Sequence, residues 1–219
     1  MLDTVVLINS WDKNKKLWPV VKHAFNKYWP DCKYPIYLIS NFETSPIGET
    51  IKVGKEMGWA NNTIAALKTL ECRNVIWMLE DYWFVGWVDN GMVEKYVSYV
   101  SCRASDYIRM VPSAIETKLP FKYDNSLHHY PLNSPHKTSL GASIWNKELL
   151  QRLMVPGESI WQFECEAVNR TTRKDVSLFT TDSSVFPLAD LQMMVHGDLS
   201  DDAYLYLKNE GLKIVENKA

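Results

Sequence analysis

IWMLEDYWF, Ile76 to Phe84, drives an apolar run straight into two adjacent carboxylates, Glu80 and Asp81, and follows them at once with three aromatic rings. The run begins at Asn74, and 74–79 is apolar at nearly every position. A strand with one wet face alternates polar and apolar residues. A continuous apolar run fits a central strand covered on both faces, the usual setting of parallel strands. Paired acids at its end either close a turn or hold something. Neighbours on a strand point to opposite faces, so one acid faces a crevice while the other turns inward to a basic or amide partner.

Working outward, TVVLIN (4–9) is a short, β-branched apolar run and reads as a buried strand ending at Asn9 and Ser10. KKLWPVVKHAFNKYW (15–29) places Leu17, Val20, Val21, Ala24, Phe25 and Tyr28 at helical spacing, with Pro19 suited to a first turn. YPIYLIS (34–40) is a second strand that stops at Ser40 and Asn41, and TIKVG (50–54) a third. GWANNTIAALKTL (58–70) reads as a helix capped by Asn61 or Asn62, with Ile64, Leu67 and Leu70 on its inner face. The first 80 or so residues therefore read β-α-β-β-α-β, which predicts a mainly parallel sheet with crossover helices. Open sheets of this kind bind ligands beyond the carboxyl ends of their strands. Those ends carry Asn9-Ser10, Ser40-Asn41 and Glu80-Asp81.

The second half is more mixed. VDNGMVEKYVSYVS (88–101) reads as a helix capped by Asp89, and DYIRMV (106–111) as a strand. Residues 112–140 look irregular. LGASIWN (140–146) turns apolar, and KELLQRLM and ESIWQFECEAVNRTTR follow as helices. Short strands are expected at 176–179, 185–188, 193–195 and in LKIV (212–215), with the helix DDAYLYLKNEG before the last.

Composition bounds the answer. The chain has 219 residues, 46% hydrophobic and 23% charged, which is enough for one sizeable core and one domain. A net charge of −2 argues against nucleic acid as a partner held by bulk charge. Local basic clusters at Lys13, Lys15 and Lys16, and at Arg170, Arg173 and Lys174, do not change that balance. MLDTVVLINSW lacks the pattern of a signal peptide, and no apolar run reaches the roughly 18 residues of a transmembrane segment. The four cysteines are scattered without a CxxC pair, which fits reduced thiols and a cytoplasmic location, peripheral attachment to a membrane being left open. Nine tryptophans and eleven tyrosines serve either as core filling or as stacking surfaces for flat ligands.

In WQFECEAVNR (161–170) a helix puts Trp161, Glu164 and Val168 on one side and turns Glu166 away, so only one of the two acids faces a cleft. An acid flanked by rings suits a general base. His128, His129 and His136 lie in the Pro-rich region without zinc spacing. His196, followed by Gly197, can bring a ligand and a backbone amide to one site. No P-loop, GxGxxG or GxSxG signature occurs, so any phosphate is held by metal and side chains rather than by a glycine cradle.

These tracts together resemble the GT-A glycosyltransferases, in particular a family-2-like group of bacterial and viral surface-glycan loci. VVLINSW, LEDYW, DYIRMVP and LGASIWNKELLQRL…SIWQFE carry the likeness, over about residues 4–170. It implies an α/β, GT-A-like single domain over 1–219 with a mainly parallel central sheet and flanking helices. A Rossmann-like half at about 1–85 would bind the nucleotide sugar, and a mixed half at about 86–219 the acceptor. It further implies a glycosyltransferase for polysaccharide biosynthesis that moves sugar from a nucleotide-sugar donor to a glycan or other carbohydrate hydroxyl, inverting and metal-assisted. Asp81, helped by Glu80, matches the acid that holds Mn²⁺ or Mg²⁺ on the donor diphosphate, and His196 is the second metal candidate. Glu164 matches the catalytic base. Asn9, Ser10, Asn41, Trp59 and Asn62 border the donor. The chain departs from the DxD pattern, since Tyr82 and Trp83 follow Asp81. Two other readings stay open: a non-catalytic nucleotide- or sugar-binding domain of this fold, and a nucleotidyltransferase. Arg109 is suited to a phosphate or acidic sugar, or equally to a buried ion pair.

Overall fold

The computed structural model describes residues 2–113, 119–131, 134–135, 137–171, 176–189, 193–195 and 197–214. Strands β1 (Leu2–Asn9), β2 (Ile36–Ser40), β3 (Glu49–Lys52) and β4 (Cys72–Leu79) lie parallel in the order β3-β2-β1-β4. Between them run a 3-10 turn (Asp12–Leu17) leading into helix α1 (Trp18–Tyr28), and helix α2 (Trp59–Thr69). Helix α3 (Asn90–Ser101) follows, capped by the Asp89 carboxylate, which accepts from the Gly91 and Met92 amides.

Beyond β4 the sheet becomes mixed. Strand β5 (Tyr107–Arg109), hairpin strands β6 (Leu119–Phe121) and β7 (Asp124–His129), β8 (Ser143–Asn146) and β9 (Leu178–Thr181) complete nine strands in the order β3-β2-β1-β4-β8-β5-β9-β7-β6. The antiparallel β8 separates β4 from β5. Helices α4 (Lys147–Leu153), α5 (Ile160–Arg170) and α6 (Asp201–Asn209) follow, with a two-stranded ribbon, β10 (Met194–Val195) and β11 (Asp198–Leu199), before the last.

Alternate residues of β1 and β4 feed two cores. Val6, Ile8, Ile76 and Met78 pack with α1, α3 and α6, whereas Val5, Leu7, Val75 and Trp77 pack with α2, α4 and α5. The apolar run Val75–Leu79 of β4 is thus explained, since a core covers each of its faces. Among the described residues no helix is long and apolar enough to cross a membrane. All four cysteines are unpaired.

Several sequence expectations are corrected. Neither Asn61 nor Asn62 caps α2: Gly58 is the N-cap, Asn61 donates back to the Met57 carbonyl, and Asn62 is buried inside the helix. The region 112–140 contains the β6–β7 hairpin, whose residues Asp124, His128 and His129 hide the apolar alternation that marks a strand. The segment 185–188 contributes only a single bridge, Leu188 to Phe84, and 212–214 form no strand. His136, Arg173, Lys174, Val215 and His196 lie outside the described residues.

Helix α6 backs the turn after β4. The Tyr206 hydroxyl donates to the Phe84 carbonyl at 3.0 Å, and its ring sits 5.0 Å from Trp83. Glu210, just past α6, ties this helix to α1 through Lys27 Nζ and Tyr28 Oη, each at 2.7 Å, and His23 Nε2 at 2.8 Å. Burial pushes the Glu210 carboxyl up, but the hydrogen bonds from Lys27, Tyr28 and His23 outweigh it and hold the pKa down at about 2. A carboxylate with a depressed folded-state pKa adds stability above its unfolded value and loses it as pH falls through the folded one. Glu210→Gln is therefore expected to lower the melting temperature by a few degrees at pH 7. The gap to wild type should close as the pH drops from 4.5 to about 2 in thermal denaturation curves.

Candidate active site

A cavity of about 630 Å³ opens beyond the carboxyl ends of β1 and β4. Its near wall is Asn9 and Ser10 at the end of β1 with Trp59 and Asn62 on α2. The floor is Leu79, Glu80, Asp81 and Tyr82, and the far wall is Ser139, Leu140 and the first turns of α5 with Trp161 and Glu164. Seven of the residues singled out from sequence, Asn9, Ser10, Trp59, Asn62, Glu80, Asp81 and Glu164, line this one space. Asn41 does not line it. Its amide is held behind the wall by Glu56 and the Gly54 carbonyl, while Asp12 accepts from its backbone N–H at 2.9 Å.

The near wall is a connected polar net. Trp59 Nε1 donates to Asn9 Oδ1 at 3.1 Å, and Asn9 Nδ2 donates to Thr63 Oγ1 at 2.8 Å. Asn9 thereby fixes the indole of Trp59, whose ring leans on Trp77 and Phe163 at 6.3 and 5.5 Å. Ser10 Oγ accepts from Trp18 Nε1 at 2.8 Å. Glu56 Oε2 accepts from both Asn41 and Asn62, joining the ends of β2 and α2.

Both acids lie in the turn just past β4. Glu80 follows Met78 toward the α1 side, where Asn14 Nδ2 donates to its Oε1. Burial lifts its pKa to about 7, the Asn14 hydrogen bond opposes that rise, and the Asp81 charge adds to it. Asp81 is the next residue of that turn and lines the cavity as well. Its Oδ1 is buried with no hydrogen-bond partner, and burial lifts its pKa to about 6. Trp83 does not stand in for a missing acid. It is fully buried, and its Nε1 donates to the Glu80 carbonyl at 3.0 Å.

Across the cavity, Glu164 Oε1 accepts from the Leu140 amide at 2.6 Å and from Ser139 Oγ at 3.0 Å. Its other oxygen carries no hydrogen bond. A capping box between Ser159 and Gln162 sets the start of α5. Phe163 turns into the core rather than flanking Glu164, whereas Trp161, 65% exposed, stands beside it at the cavity mouth. Asn14, Glu56, Tyr82 and the 139–140 segment were not singled out from sequence. Each is an ordinary polar or aromatic residue in a loop or at a strand end, without local periodicity or spacing to mark it.

No protein-family model matches the chain, and no curated protein is similar to it. Solved structures are. TarS 1–349 of S. aureus in complex with UDP is 12% identical with a TM-score of 0.52, over 82% of this chain and 60% of that one. The same protein in complex with UDP-GlcNAc gives 12% and 0.50, over 82% and 58%. The mannosyltransferase PcManGT of Pyrobaculum calidifontis, in complex with GDP-Man and Mn²⁺, gives 12% and 0.55, over 89% and 58%. The chain spans about three fifths of the length of these structures. At such identities the likeness is one of fold, and the fold is the α/β GT-A-like arrangement expected from the sequence.

The floor carries a stability cost that pH should expose. An acid whose folded-state pKa is raised destabilises the protein progressively between its unfolded value and the raised one. Glu80 moves from 4.5 to about 7. Glu80→Gln, which keeps an acceptor for Asn14, is expected to stabilise the protein at pH 8 by at most on the order of 3 kcal/mol. It should give no gain at pH 4, where the wild-type acid is neutral, as read by urea unfolding at the two pH values.

Proposed function

We propose that this protein is a nucleotide-sugar-dependent glycosyltransferase that transfers a sugar to a hydroxyl of a carbohydrate acceptor with inversion at the anomeric carbon. The observation that carries this reading is that strand-end polar groups, Asp81 with its unpartnered Oδ1, and Glu164 line one cavity. In this reading residues 1–219 are one catalytic unit, with about 1–85 holding the donor and about 86–219 the acceptor. The work is assigned to the cytoplasm.

Among the described residues no three His, Cys, Asp or Glu side chains cluster to cage a metal ion. The buried, unpartnered Asp81 Oδ1 nevertheless suits a hard cation shared with the donor, because Mg²⁺-type ions bind through one or two carboxylates plus substrate phosphates. Asp81, backed by Glu80, would hold Mn²⁺ or Mg²⁺, and His196 is proposed as a further ligand. When bound, the cation neutralises charge on the departing nucleoside diphosphate.

The chain's own residues do the rest. Asn9 and Asn62 keep Trp59 and the near wall in place for the nucleotide, with Ser10 completing that side and Asn41 bracing it from behind through Glu56. Glu164 takes the proton of the acceptor hydroxyl as its oxygen bonds to the anomeric carbon. The bond to the diphosphate breaks, and its electron pair leaves with the diphosphate. Because Oε1 of Glu164 is already engaged by Leu140 and Ser139, the proton goes to Oε2.

A second reading, a binding domain without turnover, draws on one observation: the position of a second metal-binding acid is taken by Trp83, which belongs to the core. A panel of nucleotide sugars and glycan acceptors with Mn²⁺ separates the two, with released nucleotide and product mass as readouts. Transfer that falls at least about a hundredfold in Asp81→Ala supports the transferase. Binding without turnover on any pair supports the second reading. Glu164→Gln should keep donor binding and lose transfer, and a product whose anomeric configuration is retained, read by NMR, refutes inversion.

A further inference from the structure

Arg109 ends β5 at the same rim of the sheet as the acids. Strand β8 is antiparallel to both β4 and β5, so β5 runs with β4, and Ser143 stands between Arg109 and Trp77 in register. Tyr107 and Arg109 share the face that α5 covers. The guanidinium lies against Gly141, where a Cβ would stand 3.6 Å from both Nε and Nη2. Nε is buried with no hydrogen-bond partner, and no carboxylate pairs with the side chain. The residue as a whole is only partly buried. The groups that act on it are phenols, those of Tyr82, Tyr107 and Tyr130. The Tyr130 hydroxyl is buried and makes no hydrogen bond of good geometry, yet it stands close enough to the guanidinium to interact with it. Tyr82 joins this group to the cavity floor, within the electrostatic reach of Asp81, Glu164 and Arg109 together.

A guanidinium is always charged, and a partly desolvated charge without a counter-ion is unfavourable. A structural arginine resolves this with a carboxylate of its own chain, and among the described residues Arg109 has none. Its planar fork matches a carboxylate or phosphate through two parallel hydrogen bonds. Gly141 sets no side chain against that fork, and Tyr82 stands between Arg109 and the cavity, which Arg109 does not itself line. We propose that Arg109 is the anion-binding arm of the crevice, taking a carboxylate or phosphate group of a substrate that enters past Tyr82. The proposal rests on the crevice being the substrate site, but its test does not require transfer.

Calorimetric titration of the full chain with pyrophosphate, and separately with glucuronate, distinguishes the two sources of the anion. Wild type should bind at least one of them, more weakly in high salt. Arg109→Met should weaken that binding about tenfold or more. Arg109→Lys should restore pyrophosphate, a point-charge contact, better than glucuronate, whose planar carboxylate uses the fork. A loss confined to pyrophosphate assigns the arm to a diphosphate, and a loss confined to glucuronate assigns it to an acidic sugar. Gly141→Val, which covers the guanidinium without removing it, should reproduce the loss and serves if Arg109→Met fails to fold. Equal binding by wild type, Arg109→Met and Gly141→Val, or no binding of either anion, overturns the proposal. Anion binding that depends on Arg109 in a protein that transfers no sugar would refute the proposed activity and leave the arm standing.

Discussion

The hydrogen bond from the Trp83 indole to the Glu80 carbonyl, closed inside the core, is the contact on which the crevice depends. A strand as apolar as β4 has to leave the sheet without exposing backbone polar groups. The Tyr82 amide donates to the Leu79 carbonyl that ends the strand, and Trp83 turns back to satisfy the next carbonyl, that of Glu80. Phe84 then locks into an aromatic cluster with Phe25, Trp29 and Phe186, at centroid separations of 5.2–6.0 Å. With positions 83 and 84 committed to the core, Asp81 and Tyr82 are left lining the cavity. The rings that follow the acids are thus what aims them.

That aim has a physical cost. Glu80 and Asp81 are adjacent, both desolvated, and both carry raised pKa values. A core selected for stability alone would not bring two carboxyls to this depth. Glu80 is tolerated because Asn14 supplies a donor, whereas Asp81 has an oxygen with nothing to accept from. Strain left unrelieved at one spot of an otherwise consistent fold is the pattern expected where a ligand completes the structure.

Much of the first half was legible in the sequence because its elements are periodic. The apolar runs at 4–9 and 74–79 and the helical spacing in 15–29 dictate buried strands and a crossover helix, and topology then places their ends on one rim. Legibility fails where a residue's role depends on distant partners. Asn62 looks like a cap for α2, yet it is buried and bonded to Glu56. Asn41 sits at a strand end like Asn9, but Asp12 and Glu56 draw it behind the wall. The β6–β7 hairpin is missed because its strands carry histidines and acids where a pattern reader looks for valines. Helix angle separates Glu164 from Glu166, and the resemblance selects Glu164, although nothing local shows that it also fastens residues 139 and 140.

That fastening has a stereochemical consequence. One oxygen of Glu164 is occupied by two donors of its own chain, and the carboxylate plane is fixed by them. Basicity is therefore concentrated on a single oxygen with a single set of lone-pair directions. A polyhydroxylated molecule entering beside Trp161 presents several groups of nearly equal acidity, which chemistry alone does not rank. The orientation of one helix, set by the Ser159–Gln162 cap and the anchored loop, would do the ranking, so that the choice among equivalent hydroxyls is written in backbone geometry rather than in reactivity.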